Sequence, residues 1–487
     1  MSAPVEEVPF GDQLDRVAAA DPTGIGLVVV AKDGTDQSLT WSELAAGGNQ
    51  WCRTLEANGA GLGDRVGIAI QNSVELVLAA LGAWKLGAVP IPVRWDLPDW
   101  ERQRVLEVVD AAVVVDSHSL AALGADAAAR SAEAVPSRVS PQVMGICSSG
   151  ATGTPKVIIN TRPGLWQPAL SDPFMTNWRP VQRPQRILVM APMYHTNGFM
   201  TLHFLLGADP LIVLEKFDAA LAVDVIERHR ITNFTATPTM LQRIAAVPGI
   251  EDRDLSSIDW ILQGAAVMPP TLLRKWFELI GPERVVMAYG MTEQLGLTSL
   301  RGDEWLTHEG SVGRGFRDTE IKILDEDQNE VPIGELGDIY MRWPTTGAYD
   351  YRGGAPLLPT TPDGFGTAGD IGRLDADGYL YLADRRVDMI ITGGANVFPA
   401  EVESALIDHP GITDVVVIGL KDEQWGRRVH AVVEAADPSL TDADVIAFAK
   451  SRLAAYKVPK TVEFIDAIPR SAATKVSRGA MVEARGG

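Results

Sequence analysis

The sequence predicts an α/β fold: a large N-terminal body of layered α/β subdomains plus a small β-barrel-like unit, followed by a small α+β C-terminal domain. Three observations predict it. Short β-branched runs alternate with helical patterns through the first two thirds of the chain, the rhythm of parallel α/β layers. From about Thr319 the pattern changes to short strands with tight turns. At 487 residues the chain is also too long for one compact core. The expected division is 1–386 and 387–487.

The elements follow in order. "RVGIAI" (65–70) reads as a buried strand; Ser73 then caps a helix that runs to about Leu86 and stops at Gly87 and Pro90. "AAVVVD" (111–116), "RILVMA" (186–191) and "PLIVLE" (210–215) are further strands. Asp218 caps "AALAVDVIERHR", and "ITNFTAT" returns as a strand. "EIKILDED", "GDIYMRW" and "GYLYLAD" build the β-rich unit, with a Pro/Gly-rich loop at 343–364. The last segment has its own strands ("DVVVIGL", "VHAVVEA", "TVEFID") and a helix near 443–454.

Composition removes several function classes. The formal charge is 43 − 63 = −20, which disfavours nonspecific binding to nucleic acid or acidic membranes. An anionic ligand therefore needs a local cluster of donors. Cys52 and Cys147 are the only cysteines, too few for a disulfide framework or a Cys-rich metal site. The start, "MSAPVEEVPFGDQ", lacks the basic and apolar regions of a signal peptide. The most apolar helical stretch, 74–89, carries Glu75 and Lys85 and is too short to span a bilayer. The expectation is a cytoplasmic protein with no nucleic-acid or membrane partner.

"SSGATGTPKVI" (148–158) packs glycines and hydroxyls ahead of a lysine, the chemistry of a phosphate-holding loop. It is not the Walker loop, because Pro155 precedes Lys156 and Val157 follows it. Gly150 and Gly153 are also spaced wrongly for a dinucleotide fingerprint. Taken alone it fits an ordinary turn as well. It is followed in order by "YHTNG" (194–198), "QGAA" (263–266), "AYGMTEQ" (288–294), "GDIG" (369–372), "DRRVDMIITGGANVFPAEVE" (384–403) and "PRSAATKVSR" (469–478).

This ordered series resembles the adenylate-forming superfamily, in its acyl-CoA synthetase branch, over nearly the whole chain. The resemblance implies ATP (with AMP as product), magnesium and coenzyme A as cofactors, and a mobile C-terminal domain that turns about a hinge near Val387. It implies that Ser148, Ser149, Gly150, Thr152, Gly153 and Lys156 hold the β- and γ-phosphates of ATP. Tyr289 and Gly290, with Gly264, Ala265 and Ala266 opposite, match the adenine site. Thr292 matches the phosphate-binding hydroxyl and Glu293 the magnesium ligand. Asp370 matches the carboxylate that grips the ribose, Arg385 its basic partner, and Lys475 the lysine bridging the substrate carboxylate and the α-phosphate. His195 matches the residue beside the acyl pocket. Gly393 and Gly394 match the loop lining a pantetheine tunnel, and Arg427, Arg428, Arg452 and Lys457 could meet CoA phosphates. Each residue taken singly also fits a plain structural role.

The sequence departs from the family pattern at Ala151, Val157, Val387 and Thr474, where a hydroxyl, a glycine, an Asp or Lys and a glycine are usual. A threonine forced into a glycine conformation costs about 1–2 kcal/mol. A lost phosphate hydrogen bond costs about 1.5–3 kcal/mol. Together these are roughly two to three orders of magnitude in rate. The expectation is therefore an acyl-CoA ligase with adenylation weakened or lost, fed preformed acyl-adenylate by a separate adenylating enzyme; the alternative is a complete synthetase. The acyl pocket, with Tyr194, Phe199, Met240, Gln263, Gly296 and Leu297, reads as roomy and apolar, suited to a bulky neutral carboxylic acid. A luciferase-like oxygenase and a non-catalytic acyl-adenylate-binding protein are the readings from other classes. A homo-oligomer is compatible with all of them.

Overall fold

A computed structural model describes residues 6–149, 155–344, 349–385, 388–392, 395–422, 425–470 and 476–486. Its largest feature is a sheet of thirteen strands. Six of these are parallel and lie in the spatial order Val285–Gly290, Trp260–Gln263, Asn233–Ala236, Ile187–Val189, Leu211–Leu214, Ile25–Val30. Side chains alternate between its two faces as the pleat requires. Leu27, Val29, Leu211 and Val213 enter one core with Trp84 and Phe199. Val28, Val30, Ile212 and Leu214 enter a second core with Phe234, Met240 and Trp276.

The helices on these faces are set by local chemistry. Ser73 accepts the Leu76 N–H at 3.2 Å and starts Val74–Leu86, which ends where Gly87 takes φ 77°. Asp218 accepts the Leu221 N–H and starts Ala219–Arg228. Thr237 caps Pro238–Ala245, with proline in the first turn. Among the described residues no helix is long and apolar enough to cross a membrane.

The β-rich unit expected from residue 319 onward is joined edge-on to the parallel sheet. The switch to antiparallel pairing comes earlier, at Leu297–Arg301, which pairs with Val285–Gly290. The path then runs through Ser311–Gly315, Leu380–Arg385, Asp370–Leu374, Gly337–Arg342 and Glu320–Leu324. The body also holds two three-stranded sheets, a parallel one around Arg65–Ala69 and an antiparallel one of Met144–Ser149, Pro155–Asn160 and Tyr349–Arg352, and a short antiparallel pair of Val8–Pro9 with Leu165–Trp166. The C-terminal domain has its own five-stranded sheet, centred on Ile412–Asp422 and Gly426–Ala435. Its two apolar clusters draw on described residues from Ile390 onward.

Candidate functional site

The parallel sheet changes direction at Ile187–Val189: the chain continues to Leu211–Leu214 on one side and Asn233–Ala236 on the other. Ligands of open α/β sheets bind outside the carboxyl ends of the strands at such a point. Three of the motif segments sit there, with Met240. Tyr194 and His195 follow Ile187–Val189, and Met240 follows Asn233–Ala236. Gln263 to Ala266 close Trp260–Gln263, and Tyr289 to Gln294 close Val285–Gly290.

One wall of this region is charged. Lys156 lies on Pro155–Asn160, and its Nζ is 3.3 Å from Glu293 Oε1. These side chains are 18% and 11% exposed, so the pair is well shielded from water. Tyr351, on the neighbouring strand Tyr349–Arg352, donates its hydroxyl to the same Oε1 at 2.6 Å. Its ring lies 3.9 Å from Lys156 Nζ. Burial first, and Glu293 second, push the Tyr351 phenol upward and keep it protonated. Thr292 Oγ1 meets Thr196 Oγ1 at 3.0 Å, and Asn160 Nδ2 donates to Gln294 Oε1 at 3.3 Å. Ser148 stands opposite Lys156 in the antiparallel register, so the two ends of the glycine-rich loop are stitched together.

A second polar pair borders this wall. Tyr289 donates its hydroxyl to Asp370 Oδ2 at 2.6 Å. Asp370 is buried and stands opposite Arg385 in the strand register. Gln263 reaches over its own strand end and donates to the carbonyl of Ala266 at 2.5 Å. That bond shapes the turn in which Ala265 takes φ 73°. Gln294 takes φ 55° on the other side. Left-handed backbone at non-glycine residues costs of order 1–3 kcal/mol and gathers at ligand sites. Ala265 and Ala266 are exposed, so this turn faces open space.

The apolar expectations fare differently. Phe199 is fully buried and packs edge-on to Trp84 at 6.2 Å. Met240 is buried in the core on the other face of the sheet. Both pack into the cores that flank the sheet, on its opposite faces. A Cβ on Gly198 would meet the Pro192 carbonyl oxygen at 2.5 Å, and one on Gly296 would meet Met341 Cβ at 2.6 Å. These glycines admit close backbone packing and do not widen a cavity. A Cβ on Gly290 would meet Leu297 Cδ1 at 2.8 Å, so Leu297 lies against the end of Val285–Gly290.

Tyr194 remains of interest. Its hydroxyl is buried without a hydrogen-bond partner among the described residues. Burial pushes the phenol up to about 12, with the charge of Arg94 opposing. His195 lies against it, ring centroids 4.5 Å apart. Burial pushes the Cys147 thiol up to about 12, away from the thiolate form that reacts.

Gly150, Ala151, Thr152, Gly153, Val387, Gly393, Gly394, Thr474 and Lys475 lie outside the described residues, as do the side chains of Ser149 and Arg385. Val157 is described, and it is a buried strand residue. A Cβ built on Gly145 of the paired strand would sit 2.8 Å from Val157 Cγ1. Gly145 thus leaves the room that the valine fills. Three residues of the charged wall were not anticipated from the sequence: Tyr351, Thr196 and Asn160. The readable signal was the Tyr-Asp-Tyr alternation of 349–351, which puts two tyrosines on one strand face.

Polar groups gathered at the carboxyl ends of a doubly wound sheet define a ligand-binding α/β enzyme body. The chain belongs to the AMP-binding enzyme family: the family's model matches residues 14–348, and that of the AMP-binding enzyme C-terminal domain matches 401–475. Within the adenylate-forming superfamily it stands in the acyl-CoA synthetase branch. A long-chain-fatty-acid–CoA ligase of Mycobacterium tuberculosis is 31% identical over 92% of this chain and 93% of its own. A feruloyl-CoA synthase of Amycolatopsis is 32% identical over 91% and 93%. The o-succinylbenzoate CoA synthetase of Bacillus subtilis, solved with its acyl-adenylate intermediate, superposes with a TM-score of 0.83 at 27% identity, covering 98% of both chains. The same enzyme has also been solved with ATP and a magnesium ion.

Proposed function

We propose that this chain is an ATP-dependent acid–CoA ligase that carries out both half-reactions on a neutral carboxylic acid. The observation that carries this reading is the charged wall, in which Lys156, Glu293 and Thr292 converge with Tyr351 from separate elements. In the first half-reaction a substrate carboxylate oxygen attacks the α-phosphorus of ATP and pyrophosphate leaves. Two anions meet, so cations and donors must surround the phosphates. Lys156 and Thr292 supply them, with Lys475 reaching the α-phosphate from the C-terminal domain. Tyr289 stacks on adenine while its hydroxyl orients Asp370 toward the ribose. A carboxylate is the hard oxygen ligand that magnesium takes beside substrate phosphates, and a magnesium ion on Glu293 would neutralise phosphate charge there. In the second half-reaction the CoA thiol attacks the acyl carbonyl and AMP leaves, with His195 beside the point of attack. The C-terminal domain turns near Val387 between the two.

A neutral acid fits because the strand-end segments around Tyr194, Met240 and Gln263 carry no lysine, arginine or aspartate, and Arg94, whose charge reaches Tyr194, is paired with Asp96. A bulky apolar acid is the class read from the small and apolar residues of these segments in the sequence, and the exposed turn at Ala265 and Ala266 offers its entry. Impaired adenylation is the second reading, supported by Ala151 and Thr474 in the sequence. Val157 no longer supports it, since its side chain is accommodated by Gly145. The test is acid-dependent exchange of pyrophosphate into ATP over a panel of neutral acids. Exchange with at least one acid is expected. A chain that forms CoA esters from supplied adenylates, yet shows no exchange with the parent acids, would have lost the first half-reaction.

A further inference from the structure

We propose that Tyr351 is the positioning residue for Glu293, holding one carboxylate oxygen so that the group is aimed at the phosphates and their metal ion. The inference rests on the reading of Glu293 given above. Two contacts converge on Glu293 Oε1, and the Tyr351 hydroxyl makes the shorter, 2.6 Å against 3.3 Å from Lys156 Nζ. The two donors differ in kind. Lys156 carries a mobile ammonium on a flexible stem, and it sits at the end of the glycine-rich loop, where arriving phosphates compete for it. Tyr351 sits within a strand whose register is set on both sides of it: Asp350 opposite Ile159, Tyr351 opposite Ile158, Arg352 opposite Val157. When Lys156 turns to a phosphate, Tyr351 still holds the carboxylate. Its ring, under the Lys156 ammonium, also guides where that lysine moves.

Tyr351→Phe isolates the hydroxyl, because phenylalanine keeps the ring beneath Lys156. ATP binding is measured by calorimetry on wild type and variant, once with magnesium and once with excess chelator. Wild type is expected to bind more tightly with magnesium. The variant is expected to lose about tenfold of that gain, the effect of one hydrogen bond to a charged group. Its binding in chelator should stay unchanged. Thioester formation from supplied acyl-adenylate, which needs no phosphate metal, should match wild type. An unchanged magnesium gain in the variant would overturn the inference alone. Equal losses with and without magnesium would also overturn it, marking a structural tyrosine. A wild type whose ATP binding ignores magnesium would overturn it together with the reading of Glu293.

Discussion

The charged wall and the apolar side of the site were read from the same kind of evidence, yet they behave differently in the structure. On the charged wall and the pair beside it, Lys156 meets Glu293, Thr196 meets Thr292 and Tyr289 meets Asp370 within hydrogen-bond distance, each pair joining segments far apart in sequence. On the apolar side, Phe199 and Met240 go to opposite faces of the sheet and into its cores. The lesson is energetic. Burying a charge without a partner is costly, so shielded charges that gather in one place need each other or a ligand. An apolar side chain gains from burial anywhere, and its identity does not distinguish core from pocket.

Four measurements sharpen or break this contrast. Phe199→Ala should cost about 3–5 kcal/mol of stability as a deleted core aromatic, seen as a lower midpoint in urea. A stable variant with an altered KM for acid would return Phe199 to the pocket. Glu293→Gln should lower adenylation by about 10²–10³-fold, the loss expected for one preorganised electrostatic group. Thioester formation from supplied adenylate should stay within a few fold, and equal loss in both would deny the division of labour.

The third concerns His203, which is buried against Trp84 in the same core as Phe199. Its Nε2 has no partner among the described residues. Burial, helped by the charge of Arg162, lowers its folded pKa from 6.5 to about 4. The neutral ring is the form that folds, so this contribution to stability is complete above pH 6.5 and is lost as pH falls towards 4. The loss is on the order of 3 kcal/mol. His203→Phe should flatten the stability profile between these limits, and an unchanged slope would deny the assignment. The smallest effect is expected at Ala265→Gly. Relieving its left-handed strain should raise stability by about 1 kcal/mol in thermal unfolding, whereas a loss would show that the turn is not strained.

Much of the body was legible because its signals are local. Ser73, Gly87 and Asp218 mark their helices through caps that involve neighbours three or four residues away. The order of strands in the sheet was not legible, since Ile25–Val30 pairs with Leu211–Leu214, far along the chain. Nor was the early antiparallel switch at Leu297, because a strand's direction is set by its partner. In the site, residues within ordered motifs were legible as a resemblance. Tyr351 was hidden in a Pro/Gly-rich segment that reads as loop, and only pairing with Pro155–Asn160 makes it a strand. Val157 shows the converse: a departure from the family pattern that looked costly is absorbed by Gly145 across the ladder.

The central claim is that the charged wall still performs adenylation. Its most direct test is a pair of assays over a panel of neutral acids and their synthetic adenylates. One vessel holds acid, ATP, magnesium and CoA; the other holds acyl-adenylate and CoA without ATP. CoA thioester in both is the predicted result. Thioester from the adenylate alone would contradict the claim and make this a ligase that depends on another enzyme for its activated substrate.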